Sequence, residues 1–121
     1  MLKLVCCVRR LKGMSEEEFH HYWREIHGPL TMECFLALGA CKYVQTYILS
    51  TPLNEMLQEI KGQMEPFDGI AEIWWEDMEV LLQAIDTQEW FEAQDRLFTS
   101  EGKFIDLSRS CSFLCNEEQM I

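Results

Sequence analysis

A chain of 121 residues builds one domain with a modest core, and a composition that is 48% hydrophobic argues against disorder. Its formal charge of −11 repels phosphate backbones and anionic lipid, so neither nucleic acid nor an anionic membrane fits as a partner. No apolar run reaches the roughly 18 residues that span a bilayer. The apolar run Leu2–Val8 is too short for a secretory leader, and Arg9-Arg10 follows it instead of preceding it, so the expectation is a soluble cytoplasmic protein.

Six cysteines raise the question of disulfides or a metal. Cys6 and Cys7 are adjacent and point to opposite faces of a strand. Cys111 and Cys115, on one face of a strand, would stand about 13 Å apart, beyond bridging distance. The chain has no C-x-x-C and no H-x-x-x-H pair, so zinc-type spacing is missing. Free thiols in a reducing compartment are expected, with no metal and no organic cofactor.

Leu2–Arg10 reads as a strand apolar on both faces, hence covered on both. Ser15 then opens a helix. Ser15 and Glu18 have the spacing of a capping box, and Glu16, Glu17 and Glu18 suit the positive end of the helix dipole. Phe19, Tyr22, Trp23, Ile26 and Leu30 recur at helical spacing. Pro29 cannot donate to the carbonyl of Glu25, so the helix is expected to kink or restart there, with His27 beside the break. A second piece runs to Leu38 and closes at Gly39.

Ala40–Leu49 alternates as a strand, with Tyr43, Gln45 and Tyr47 on one face. Thr51 and Pro52 begin a helix that Gly62 stops, and residues 52–66 read as an insertion. That insertion is either an ordinary surface helix or a lid over a pocket mouth. Asp68–Glu76 is the third strand. Asp77 caps a helix carrying Met78, Leu81, Leu82 and Ile85, and Thr87 caps its continuation to Phe98, with Trp90, Phe91 and Leu97 inward. Phe104–Cys115 reads as the last strand, with Asp106, Ser108, Ser110 and Ser112 on one face. Residues 116–121 form an acidic tail.

This order gives two right-handed βαβ units and an α+β, ferredoxin-like, four-stranded antiparallel sheet with helices on one face. One helix layer covers one sheet face. The other face is also apolar and the chain has no spare element, so a second copy is expected to cover it as a homodimer.

Phe19, Tyr22-Trp23, His27 and Gly28-Pro29-Leu30 resemble the first-helix signature of the EthD-like family, within the dimeric α/β-barrel superfamily. The resemblance implies that two sheets close into a homodimeric α/β barrel. It also implies a cofactor-independent lyase acting on an aromatic or poly-β-keto polyketide intermediate by cyclisation, dehydration or decarboxylation. A cofactor-free oxygenase of anthrone-type substrates and a non-catalytic ligand-binding protein are the alternatives. In such proteins the pocket lies between sheet and helices. His27 is then the acid/base group, since an imidazole near its ordinary pKa of about 6.5 both takes and gives a proton. Tyr47 or Tyr43 supplies a donor for a developing enolate oxygen. His20, Tyr22, Trp23, Trp74, Asp106 and Ser108 are the candidate substrate contacts. The competing reading of His27 is a side chain that bonds the carbonyls freed at the helix break.

Overall fold

The computed structural model describes all 121 residues. Four strands, β1 (Leu2–Val8), β2 (Lys42–Tyr47), β3 (Gly69–Trp75) and β4 (Cys111–Asn116), form one antiparallel sheet in the order β2-β3-β1-β4. This is the ferredoxin-like arrangement read from the order of the elements. Register pairs Leu2 with Trp75 and Leu4 with Ile73 across β1 and β3, and Cys6 with Ser112 across β1 and β4. Even residues of β1 and β4 and odd residues of β2 and β3 therefore share one face.

That face is covered by α1 (Glu16–Tyr22), α2 (Gly28–Ala37), α4 (Met78–Ile85) and α5 (Gln88–Glu101). Side-chain caps start three of them. Ser15 and Glu18 close the capping box on α1, Asp77 accepts from Val80 N–H, and Thr87 accepts from Trp90 N–H. Two clusters form the core. Leu2, Phe35, Ile73, Trp75, Leu81 and Leu97 belong to the first. Val8, Phe19, Trp23, Ala71, Phe104 and Ile105 belong to the second.

The helix does not break at Pro29. Trp23–His27 forms one π turn and α2 continues from it, with Tyr22, His27 and Gly28 all in right-handed helical conformation. The Gly28 N–H reaches back five residues to the Trp23 carbonyl. Pro29 falls in the first turn of α2, where its missing N–H is tolerated, and the expected discontinuity takes the form of the π turn just before it. The extra residue also rotates the inward face. Phe19, Trp23, His27 and Thr31 are buried, whereas Ile26, expected inward, is 48% exposed.

Two glycines make room for this turn. A Cβ on Gly69 would sit 2.4 Å from the Trp23 ring, so only glycine lets the indole lie on β3. A Cβ on Gly28 would meet the Gln45 amide at 3.1 Å. Through that gap Gln45 Nε2 donates to the Trp23 carbonyl at 3.0 Å, tying the π turn to β2.

Two further expectations change. The last strand begins at Cys111, not Phe104: Ile105 only bridges Arg10, and Leu107–Arg109 is a 3₁₀ turn. Local bonds displace the ladder here. Ser108 donates to the Asp106 carboxylate, Ser110 donates to the Asp106 carbonyl, and the Arg9 N–H donates to Ser110 Oγ. Phe91 and Leu82, expected inward, are 62% and 54% exposed. Of the two readings of α3 (Pro52–Lys61), a surface helix or a lid, the helix lies on the surface: it places no side chain in the central cavity, and its apolar stripe of Leu53, Met56, Leu57 and Ile60 faces out.

Candidate active site

A cavity of about 410 Å³ lies between the sheet and the helices, bounded by members of both core clusters. Its walls are mostly apolar. The polar side chains facing it are His27, Thr31, Tyr43, Gln94, Glu101 and Ser112. No lysine or arginine lines it. A half-open apolar cavity with few convergent polar groups has the chemistry of a small-molecule site.

His27 comes from the π turn. It is 8% exposed and packs its ring 4.9 Å from the centre of Phe104. Its Nδ1 lies 2.8 Å from Ser100 Oγ on α5, and Tyr22 Oη lies 3.3 Å from the same hydroxyl. Nε2 has no protein partner and is not sealed away, so it is the ring atom that meets the cavity. When Nδ1–H donates to Ser100, and Ser100 donates to Tyr22, Nε2 presents a lone pair. Burial pushes the imidazolium pKa from 6.5 down to about 4. At neutral pH the ring is therefore an uncharged base, not the group that both takes and gives a proton expected from its ordinary pKa. The expected bonding to freed carbonyls is not seen: the ring's hydrogen bond goes to Ser100 on α5.

Tyr43 reaches the cavity from β2. Its hydroxyl accepts from Gln45 Nε2 at 2.8 Å, and Gln45 Oε1 in turn accepts from Tyr47. Burial raises the Tyr43 pKa, so it holds its proton and serves as a hydrogen-bond donor.

The other residues singled out in the sequence separate into groups. Trp23 lines the cavity. Tyr22 meets the site only through Ser100. Tyr47 lies outside the cavity, capped by the His20 ring edge at 5.0 Å and by the Arg24 guanidinium at 4.9 Å. His20 is thus a partner of Tyr47, not a cavity residue. Trp74 belongs to the opposite sheet face, between Lys3 and Lys42, with its indole N–H bonded to Glu117. Asp106 and Ser108 lie in the 3₁₀ segment, away from the cavity. Of the serine row only Ser112 reaches the cavity, because β4 begins after the others.

The sequence reading missed Gln45, Ser100 and Glu101. A signal for the last existed. Gln94 and Glu101 stand at helical spacing with Trp90 and Leu97, so polar residues occupy an inward stripe. No group of three His, Cys, Asp or Glu side chains converges as a metal site would require. All six cysteines are free thiols. No helix is long and apolar enough to cross a membrane.

Topology and cavity together define a class: a small α+β protein of ferredoxin-like topology that holds a half-open apolar cavity with an uncharged histidine in its wall. The sequence profile of the EthD domain matches residues 11–108, and the chain belongs to the EthD-domain family. It is 24% identical over 112 residues to decarboxylase AgnL1 of Paecilomyces divaricatus, covering 90% of this chain and 73% of that one. Among solved structures it is similar to an EthD family protein of Bacillus halodurans. There the TM-score is 0.64 and the identity 21%, over 98% of this chain and 99% of that one. It is also similar in fold to SnoaB, a cofactor-independent oxygenase of Streptomyces nogalater. That TM-score is 0.55 and the identity 11%, over 99% of this chain and 95% of the other.

Proposed function

We propose that the protein is a cofactor-independent lyase that decarboxylates an aromatic or poly-β-keto acid of polyketide type, with His27 as its base. The observation that carries this reading is the buried imidazole, anchored at Nδ1 and open at Nε2, with a pKa of about 4. Such a base is too weak to remove a carbon-bound proton efficiently. A base whose proton affinity is lowered by burial suits a carboxylic proton better than a carbon-bound one, which favours decarboxylation over cyclisation or dehydration. The 24% identity to a fungal decarboxylase points the same way.

The steps balance without an oxidant. A neutral β-keto acid enters a cavity that has no cation for a carboxylate. His27 takes the carboxylic proton. The bond from C2 to the carboxylate breaks, carbon dioxide leaves, and the electron pair forms an enolate. Tyr43 donates a hydrogen bond to the enolate oxygen. The imidazolium, strongly acidic in this setting, returns its proton to C2 and gives the ketone.

The reading includes a homodimer. The sheet face away from the helices carries the half-buried Val44 and Ile70 and Phe113, which is 48% exposed. The α3 stripe adds Leu53 and Ile60, 65% and 72% exposed. A second copy covers such surface most economically. Sedimentation equilibrium is expected to give twice the chain mass, and a monomer at micromolar concentration would refute the paired assembly.

For the chemistry, conversion of benzoylacetic acid to acetophenone is followed against its uncatalysed background. Wild type is expected to accelerate it, and His27→Gln to lose about a hundredfold or more in kcat. A folded His27→Gln variant with undiminished rate would remove His27 from the mechanism. Oxygen uptake in place of carbon dioxide release would replace the lyase with an oxygenase.

A further inference from the structure

We propose that Glu101 is the proton donor of the cavity: its carboxyl group meets the ketone or phenol oxygen of a bound, uncharged, oxygenated aromatic ligand. The chemistry rests on the lyase reading above, and the placement rests on the structure.

Glu101 closes α5 and lines the cavity, half-buried, directly after the Ser100 that holds His27. Its backbone carbonyl is used by the Phe104 and Ile105 N–H groups. Its carboxyl oxygens have no hydrogen-bond or ion-pair partner in the protein and are not sealed away, and the side chain is part of the cavity wall. An unpartnered carboxyl among apolar walls is a group with bonding capacity left over for a ligand.

The surroundings favour the acid over its anion. The titratable side chains facing the cavity are Cys6 from β1, Tyr43 from β2, His27 from the π turn and Glu101 itself. The α2, α4 and β4 walls present Thr31, Phe35, Leu81, Ile85, Ser112 and Leu114, none of them charged. The carboxyl also lies at the C-terminal end of α5, where the helix dipole disfavours negative charge. Burial raises its pKa above the carboxylate range. An apolar ligand that fills the hollow expels water and raises it further.

This division of labour answers a need. The imidazole of His27 is uncharged and serves as the base. Burial raises the Tyr43 pKa, which suits its hydroxyl to hydrogen bonding more than to proton transfer. Two titratable groups whose environments push them apart make a base and an acid from one cavity. As the C2–carboxylate bond breaks and carbon dioxide leaves, the electron pair forms the C2–C3 double bond. The enolate oxygen, held by the Tyr43 hydroxyl, takes the Glu101 proton, giving an enol and a carboxylate. When His27 protonates C2, the enol proton returns to Glu101.

The test uses two probes. Xanthone is a rigid aromatic ketone with no titratable group. Bound to wild type, its carbonyl stretch is expected to shift to lower frequency, and its affinity to fall at least tenfold as pH rises and Glu101 ionises. Glu101→Leu should abolish the shift, and Glu101→Gln should flatten the pH dependence. With benzoylacetic acid, Glu101→Gln should lower kcat about a hundredfold with KM little changed. An unshifted carbonyl with pH-independent affinity in wild type would overturn the proposal. So would wild-type turnover in Glu101→Gln, which would leave the lyase reading standing. If wild type itself does not accelerate benzoylacetic acid loss, the lyase reading falls, and the xanthone shift alone decides whether Glu101 is the donor.

Discussion

Arg9 and His27 are both buried polar side chains, 7% and 8% exposed, yet they stand in opposite chemical situations. Arg9 spends its guanidinium on the chain. It donates to the Pro66 and Glu65 carbonyls at 2.9 Å each, contacts Met64 Sδ, and lies 4.2 Å from the centre of the Phe67 ring. It holds the segment between α3 and β3 onto the end of β1. His27 is anchored at one nitrogen only, and the other opens into a hollow. The difference teaches that burial of a polar group does not mark a site. Bonding capacity left unspent does.

The comparison breaks first under pH. His27 has its pKa lowered in the folded state, to about 4 from 6.5. Its contribution to stability is fully present above pH 6.5 and is lost as pH falls toward 4, because the unfolded chain takes up a proton that the folded chain refuses. The loss amounts to about 3 kcal/mol at most. Glu101 acts in the other sense. Its raised pKa favours the fold below the ordinary carboxyl value, and that contribution is lost as pH rises through the folded value. Urea denaturation at pH 7 and pH 5 should therefore show a stability drop in wild type that His27→Gln flattens. No change of slope in that variant would mean that the ring is not desolvated. Arg9 predicts no such feature.

Arg9→Met sharpens the contrast from the other side. It strands two carbonyls that the guanidinium now satisfies, at a cost of about 2 kcal/mol. Ligand binding in the cavity should be unchanged, because Arg9 does not line it. Xanthone affinity measured beside the melting temperature checks both halves, and a large fall in affinity would show that the two regions are coupled.

The smallest effect is expected from Ser100→Ala. It removes the hydroxyl between His27 Nδ1 and Tyr22, and should cost about 1 kcal/mol of stability. If the hydroxyl only fills space, kcat should not move. If it fixes the ring, kcat should fall about tenfold with KM nearly constant, and Ser100→Thr should restore part of it.

Much of the frame was legible in the sequence. Strand alternation, the Ser15, Asp77 and Thr87 caps, and the glycine at position 39 act over a few residues, so local pattern reveals them. The element order then allowed few topologies, and the sheet order β2-β3-β1-β4 is the one expected. His27 was singled out by the Pro29 beside it and by the resemblance of its stretch to the EthD-like first helix. Tyr47, Trp74, Asp106 and Ser108 were not placeable. A strand alternates with period two, so a pattern apolar on both faces gives no parity, and the start of β4 depended on side-chain bonds at Asp106, Ser108 and Ser110.

What the sequence determined by itself was periodicity, capping and the order of elements, because each is written in short-range spacing. Tertiary structure decided the rest. Only packing against β3 could show that Trp23 needs Gly69 beneath it. The same holds for the π turn that carries His27 past Pro29 and for the place where Ser100 meets the imidazole, 73 residues away. The acidity of His27 and Glu101 follows from the water each has lost, and that loss is a property of the cavity, not of either residue's neighbours in sequence.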